Sequence, residues 1–345
     1  MNIVFGLLLL CALVFVHELG HFFAARLCRV KVESFSIGMG PILLHKEIFG
    51  TDWRISAIPL GGYCAMKGEQ DADAEFTKID ADSFYGRGAI FRAIIGAAGP
   101  FANAIFAALM LSVLALFPHP YYSATAEIDF PTEIESNAKK AGLFAGDKIV
   151  SIENEDVLDF SDISKIVQNY AGKTVKIQVE RNGEKLFFDV AVSDDGKIGV
   201  TNLKKMTTPL PVHRAIAKGT FDAGKMIFLY VDGIISLFRT ETKLTESING
   251  PARITSELGA MTKYGFAPVL TFLSYISVAL CVMNLLPLPV LDGWLILVSL
   301  VEAIFRVKIR GKARIIAQYA GIALLVALFL IATANDILFF LGGKQ

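Results

Sequence analysis

The stretch VFVHELGHFFAA, from Val14 to Ala25, places two histidines and a glutamate at the end of an apolar run that begins at Ile3. His17, Glu18 and His21 match the pattern H-E-x-x-H. On an α-helix the two histidines lie one turn apart on the same face, so both imidazoles can reach one zinc ion, and the glutamate beside them can take a proton from water. Ionisable side chains are costly inside a membrane span, so this cluster predicts a functional site.

The composition indicates a membrane protein with a polar part attached. The chain has 345 residues, of which 54% are hydrophobic, and its mean hydropathy is +0.53. Its 33 basic residues equal its 33 acidic residues, so no global charge predicts nucleic acid as a partner. The four cysteines are not arranged as a disulfide framework or a zinc ribbon.

Four apolar segments are long enough to cross a bilayer core, which needs about 20 residues. The expected transmembrane helices occupy residues 1–27, 89–118, 266–305 and 315–340, separated by regions 28–88, 124–200, 201–265 and 306–314. We do not expect the first segment to be a cleaved signal peptide, because no basic residue precedes it and no small-residue cleavage site follows.

The basic residues indicate how these helices are oriented. They cluster after the first span, before the second, and in the 306–314 loop between the third and fourth. The positive-inside rule makes that side cytoplasmic, so both termini and the polar middle are expected outside. Residues 226–238 form a fifth apolar segment that is short and carries Asp232. We expect it to lie on the membrane or pack against the other helices; if it spanned the membrane, the last basic loop would be inverted.

The polar middle is predicted to fold as a small domain of strands and at least one helix. Asn182-Gly183 lies between two apolar-rich segments and predicts a hairpin, and Lys148–Ile152 predicts another strand. The apolar residues from Phe160 onward recur with helical spacing and predict a helix, with Ser161 as the expected N-cap and Gly172 as the stop signal.

The run AKKAGLFAGDKIVSIENEDV, from Ala138 to Val157, resembles a PDZ domain of bacterial proteases. The resemblance implies a peptide groove between a strand near 126–130 and the helix 162–170. A spacer domain without a ligand is the alternative, since a fold does not fix a function.

Region 28–88 combines strand-like stretches, such as Trp53–Ile58, with glycine-rich segments. Gly38, Gly40, Gly61 and Gly62 are candidates for substrate contact. They can be plain turns, or they can allow backbone to enter the membrane where protein shields it.

A third metal ligand is expected in the segment NLLPLPVLDG, from Asn284 to Gly293. Pro287 and Pro289 interrupt an apolar helix there, and Asp292 follows as another intramembrane charge. Taken alone, the segment could be an ion site or a helix kink. Taken with the two histidines, Asp292 completes the three protein ligands that catalytic zinc usually has.

Together, HELGH in the first span and NLLPLPVLDG in a later one resemble the site-2 protease family of intramembrane zinc metalloproteases, and most fully its bacterial RseP group. Further similar stretches are FSIGMGP (35–41), IPLGGY (58–63), GAAGPFAN (96–103) and NGPARI (249–254). The resemblance implies an α-helical membrane protein with four transmembrane helices, a membrane-associated β-rich region after the first, and an α+β PDZ domain between the second and third. RseP proteins often have two tandem PDZ domains, whereas this chain has room for one.

Carried onto matching positions, the resemblance implies that Zn²⁺ is bound by His17, His21 and Asp292. Glu18 would be the general base and then the proton donor to the leaving amine. Asn284 would hydrogen-bond the substrate backbone or the developing oxyanion, and the glycines and the two prolines would contact the substrate.

The resemblance also implies a location and partners. The chain would be a multi-pass protein of the bacterial inner membrane, with termini and PDZ domain extracytoplasmic and the active site toward the cytoplasm. Its substrates would be single-span proteins such as anti-sigma factors, trimmed by an upstream site-1 protease, and remnant signal peptides.

Two other classes of protein stay open. A non-catalytic membrane-anchored PDZ scaffold would leave the intramembrane charges unexplained. A metal transporter would suit broken helices, but transporters usually contain inverted repeats, and no repeat relates the first two spans to the last two.

Overall fold

A computed structural model describes residues 2–69, 80–122, 125–131, 136–237, 251–261, 265–307 and 312–341. The helices are α1 (Asn2–Leu27), α2 (Ala89–Ala115), α3 (Asn137–Lys140), α4 (Phe160–Gln168), α5 (Val212–Leu237), α6 (Pro251–Met261), α7 (Phe266–Leu285), α8 (Asp292–Phe305) and α9 (Lys312–Leu341). The strands are β1 (Val32–Ile48), β2 (Thr51–Met66), β3 (Pro120–Tyr122), β4 (Ile128–Asp129), β5 (Lys148–Ile152), β6 (Glu155–Asp156), β7 (Thr174–Arg181), β8 (Glu184–Ala191), β9 (Thr201–Asn202) and β10 (Lys204–Met206). The chain forms two compact units, residues 117–209 and the remainder on either side of them.

Four of the described helices are long and apolar enough to cross a membrane: α1, α2, α7 and most of α9. This confirms the expected multi-pass organisation. α2 is the central helix, because it packs against α1, α5, α7 and α8. Small residues allow the close approach of α1 to α2, as is common between membrane helices. A Cβ on Gly20 would lie only 2.8 Å from the Cβ of Ala102.

The third apolar segment is broken, as its two prolines predicted. α7 ends at Leu285 and α8 begins at Asp292. The six residues between them form a tight turn in which the N–H of Leu291 donates to the carbonyl of Leu288 at 3.1 Å. Val290 adopts a φ of 85°, which is strained for a β-branched residue, so the surrounding structure must hold this turn in place.

The region after α1 is a long hairpin of β1 and β2, and the predicted strand at Trp53–Ile58 lies within β2. The hairpin folds back on itself, so that Ser36 of β1 pairs with both Tyr63 and Arg54 of β2. Its inner part packs against α1 around the buried Phe35. Its outer part exposes apolar side chains such as Leu43 and Leu44, which fits a membrane-associated element.

The segment 226–238 belongs, up to Leu237, to α5, which packs against α2 and α7. Packing against the other helices is one of the two arrangements expected for this segment; whether it also lies on the membrane stays a prediction. Gly219 makes the crossing close, since a Cβ there would lie 2.6 Å from the carbonyl oxygen of Ala108. α6 is held to α9 by the carboxylate of Asp336, which accepts the N–H of Ala252 at 3.0 Å. Residues 308–311 of the expected basic loop 306–314 lie outside the described residues.

The unit of residues 117–209 is an α+β fold in its own right. Its four-stranded sheet has the order β6-β5-β7-β8, and the sheet and α4 enclose an aliphatic core. The hairpin at Asn182-Gly183 is confirmed, with both residues at positive φ. Beneath it, Arg181 pairs with the buried Asp147 at 2.7 Å and stacks on the ring of Phe144.

Three expectations for this unit need correction. The N-cap of α4 is Asp159 rather than Ser161, because Asp159 accepts the N–H groups of Ser161 and Asp162 while Asp162 reaches back to it in a capping box. The strand near 126–130 is only Ile128–Asp129. The unit is also wider than 124–200, because β9 and β10 return to pair with β4 and β3.

Candidate active site

The structure brings His17, His21 and Asp292 together. Both histidines are buried in α1, and their Nε2 atoms lie 3.2 Å apart. Asp292 reaches them from the first turn of α8, with Oδ2 3.1 Å from Nε2 of His17 and Oδ1 3.3 Å from Nε2 of His21. These three side chains form a group of potential metal ligands among the described residues.

The spacing of the three ligand atoms fits a zinc ion. With bonds of about 2.0–2.2 Å and tetrahedral angles, neighbouring ligand atoms around zinc lie roughly 3.2–3.6 Å apart. The two Nε2 atoms are 3.2 Å apart, and each has one oxygen of the Asp292 carboxylate close to this range, Oδ2 at 3.1 Å from His17 and Oδ1 at 3.3 Å from His21. Two imidazoles and one carboxylate are also a donor set found in catalytic zinc sites, where the fourth position is left open.

The break in the third apolar segment places Asp292 at this point. α8 begins so close to the end of α7 that a Cβ on Gly293 would lie 2.5 Å from the carbonyl carbon of Leu285. Only glycine allows this approach. The carboxylate therefore lies at the N-terminus of a helix, where the free N–H groups and the helix dipole favour negative charge.

Residues of α2 pack against both histidine rings, and none of them was among the site residues predicted from the sequence. The Nδ1 of His21 donates to the carbonyl of Ile95 at 2.8 Å, and the Nδ1 of His17 lies 3.1 Å from the amide of Asn103. Gly99 leaves room for both rings, since a Cβ there would lie 2.6 Å from Cε1 of His21. The available signal was the motif GAAGPFAN, which puts a polar asparagine into an apolar span.

Glu18 faces the second strand of the hairpin. Its Cγ lies 3.5 Å from the position that a Cβ would take on Gly62. Gly62 and Cys64 pair with β1 on one side, at Ile37 and Phe35. In the described part of the chain, the opposite edge of β2 at Gly62 and Cys64 is therefore an outer edge of this sheet.

The other candidate residues occupy two places. Gly38, Gly40 and Gly61 lie in the hairpin with φ between 84° and 87°, a conformation that glycine adopts readily. Of the four candidate glycines, Gly62 is the one that the structure places against Glu18. Pro287 is exposed, whereas Pro289 packs against α9 at Gly321, where an added Cβ would lie 2.5 Å away.

Asn284 lies in the last turn of α7 and is partly buried. It shares a helix face with Ser277, two turns earlier. The hydroxyl of Ser277 donates to the backbone carbonyl of Asn103 at 2.8 Å. Asn284 is therefore on the α2-facing side of α7.

Comparison with known proteins agrees with this geometry. Residues 5–328 match peptidase family M50. Similar chains, each called "Putative zinc metalloprotease", occur in Campylobacter jejuni (33% identity over 96% of this chain and 91% of the relative) and Clostridium acetobutylicum (32%, 98% and 98%). Another in Treponema pallidum is 28% identical over 98% of this chain and 99% of the relative. The chain therefore belongs to peptidase family M50, the site-2 proteases, and is a zinc metalloendopeptidase with several membrane-spanning helices.

Proposed function

We propose that this protein is an RseP-type intramembrane protease that cuts single-span membrane proteins within or near their transmembrane segment. The observation that carries the proposal is the meeting of His17, His21 and Asp292 beside Glu18, with the two histidines and Glu18 on a helix long enough to cross a bilayer. A protease whose catalytic side chains lie inside such helices needs a substrate that reaches the same depth.

The roles that we propose for the residues are those that the resemblance implies, and the meeting of His17, His21 and Asp292 supports them. Nε2 of His17, Nε2 of His21 and the carboxylate of Asp292 would hold the zinc ion. When bound, zinc supplies a Lewis acid that polarises the scissile carbonyl and lowers the pKa of water. Glu18 takes the proton from the attacking water and passes it to the amine as the carbon–nitrogen bond breaks. Asn284 donates its amide N–H to the substrate carbonyl as negative charge develops there.

The outer edge of β2 offers a place for the substrate backbone. A helical peptide bond is enclosed by its own turns, so a transmembrane substrate must unwind into an extended strand before hydrolysis. An extended strand can add to the edge at Gly61–Cys64 through main-chain hydrogen bonds. Gly62 keeps that edge clear beside Glu18, and the turn with Pro287 and Pro289 would bound the substrate on the side of Asp292.

The unit of residues 117–209 is proposed to be a PDZ domain outside the cytoplasm. Support comes from the run Ala138–Val157 and from the fold of a small sheet packed with helix α4. It would bind the new carboxyl end of a trimmed substrate, or exclude untrimmed proteins by their bulk. The basic residues predict that the active site lies toward the cytoplasm of a bacterial inner membrane. Anti-sigma factors cut first by a site-1 protease, and remnant signal peptides, are the proposed substrates.

The test compares wild type with Glu18→Gln in detergent, using tagged single-span peptides without large outer domains. Glu33→Gln is the matched control, because Glu33 is an exposed glutamate of β1. We expect wild type and the control to cut, Glu18→Gln to bind zinc without cutting, and a chelator to abolish the cutting until zinc is restored. Equal cutting by Glu18→Gln would refute the role of Glu18. A chain that binds zinc but cuts none of these peptides would refute the proposed substrate class.

A further inference from the structure

Asn103 of α2 is fully buried and has an unusual hydrogen-bonding environment. Its amide nitrogen lies 3.1 Å from Nδ1 of His17. Its amide oxygen is buried and has no hydrogen-bond partner among the described residues. Its backbone is held in place by the hydroxyl of Ser277. A buried polar atom without a partner is costly and calls for an explanation.

The two ends of this amide suit the two neutral tautomers of His17. With the proton on Nε2, His17 can donate to Asp292 at 3.1 Å and accept from the amide nitrogen of Asn103. With the proton on Nδ1, Nε2 is free to act as a metal ligand, and Nδ1 becomes a donor that needs an acceptor. Turning the amide by 180° would present its oxygen to Nδ1. The oxygen and nitrogen of an amide are nearly the same size, so the turn needs little space.

The second histidine provides an internal comparison. Nδ1 of His21 already faces an oxygen, the carbonyl of Ile95, at 2.8 Å. That contact fixes the tautomer in which Nε2 of His21 is free to bind metal. Ile95 and Asn103 lie two turns apart on α2, so one helix supplies an acceptor for each ring. Metal-bound histidines usually donate their other ring nitrogen in this way.

We propose that Asn103 is a positioning residue for His17, whose amide oxygen accepts the Nδ1 proton and holds Nε2 toward the metal site. The inference rests on the proposed role of His17 as a zinc ligand. Asn103 makes no contact with substrate in this scheme. It acts through the tautomer and the orientation of one imidazole.

The test uses the purified full chain with two substitutions. Asn103→Leu has a similar volume but no acceptor, whereas Asn103→Asp keeps an acceptor oxygen. Ser274→Ala is the matched control, because Ser274 is a buried polar residue of the same α2–α7 interface whose hydroxyl donates to the carbonyls of Leu270 and Ala107. Zinc affinity is measured by competition with a chelator, and the absorption bands of bound Co²⁺ report the geometry of the ligands.

We expect Asn103→Leu to weaken zinc binding about ten- to hundredfold and to change the Co²⁺ bands. Asn103→Asp and Ser274→Ala should stay close to wild type in both measurements. Unchanged affinity and bands in Asn103→Leu would overturn the proposal, as would an equal loss in Asn103→Asp. If Asn103→Leu does not fold, Asn103→Asp still tests the proposal, because weaker zinc binding or altered bands in a variant that keeps both the acceptor oxygen and the side-chain size would overturn it. His17→Ala distinguishes failure of the proposed zinc ligand from failure of the role of Asn103. Unchanged zinc binding in His17→Ala would refute His17 as a ligand, and not only Asn103 as its positioning residue.

Discussion

Replacing Gly99 by alanine tests the geometry of the metal site directly. The added Cβ would lie 2.6 Å from Cε1 of His21 and 2.8 Å from Cε1 of His17. Carbon atoms in contact are normally about 3.5–4.0 Å apart, so each ring must withdraw by roughly 0.7–1.4 Å. Moving α1 away from α2 would relieve the collision only at the cost of the close packing between them at Gly20. Metal sites tolerate ligand displacements of only about 0.2 Å.

We therefore expect Gly99→Ala to lower zinc affinity by at least about a hundredfold and to abolish peptide cleavage. The cost in unfolding free energy should be modest, about 1–3 kcal/mol, which is typical of overpacking. Zinc content after dialysis, chelator competition and thermal unfolding in detergent measure these effects separately. A Gly99→Ala protein that binds zinc and cuts peptide as wild type does would refute the placement of the histidines against α2.

Gly96→Ala is the control for that experiment. It lies one turn earlier on the same helix, and its added Cβ would meet Leu295 Cδ2 at 3.1 Å and Ile296 Cγ1 at 3.3 Å. These atoms belong to flexible side chains of α8, which can shift slightly. We expect near-normal zinc affinity. Equal loss in both variants would mean that α2 had been distorted as a whole, and the argument from the ring collision would fail.

Two further predictions concern charges outside the metal site. Arg92 of α2 and Glu302 of α8 form an ion pair whose side chains are only 10% and 8% exposed. Arg92→Met alone leaves a buried carboxylate without its cation, so it should lower the unfolding free energy by about 3–5 kcal/mol. The double variant Arg92→Met with Glu302→Leu should recover most of that loss. A denaturation series on the two proteins checks this, and equal loss in both would show that pairing is not the cause. In α4, hydrogen bonds from Ser161 lower the pKa of the N-cap residue Asp159. The charged cap therefore stabilises the helix fully above about pH 4, and this stabilisation is lost as the pH falls through the lowered pKa of the folded state. Hydrogen exchange of α4 amides between about pH 6 and 3 measures this loss of stability. Asp159→Asn caps the helix without titrating, so it should make the protection of these amides nearly independent of pH. The same pH dependence in Asp159→Asn as in wild type would exclude Asp159 as its source.

The parts of the site that could be predicted from the sequence are those that local spacing determines. Two histidines at i and i+4 must share a helix face, and two prolines in an apolar segment must interrupt it. Asp292 followed as the one carboxylate next to that break. The contributions of Asn103, Gly99 and the Ile95 carbonyl depend instead on which face of α2 meets α1. That contact is between residues about 80 positions apart, and no local pattern specifies it.

The unit of residues 117–209 shows the same division. The hairpin turn at Asn182-Gly183 has a strong local signal, because both positions require positive φ. β9 and β10 are two and three residues long, and they exist only because they pair with β4 and β3, about 70 to 85 residues earlier. The N-cap of α4 could have been found, since Asp159 with Asp162 three residues later is a capping-box pattern.

The arrangement around the histidines follows from what a membrane interior requires of polar groups. Every hydrogen-bonding atom there needs a protein partner, because water is scarce. The carbonyl of Ile95 and the amide of Asn103 supply partners for the two Nδ1 atoms. The two Nε2 atoms and the carboxylate of Asp292 then lie together, with the distances that join them between 3.1 and 3.3 Å. In the proposed metal site, one divalent cation would satisfy all three groups at once. We therefore expect the loss of a partner on α2 to weaken metal binding, because that partner orients the imidazole that would bind the ion.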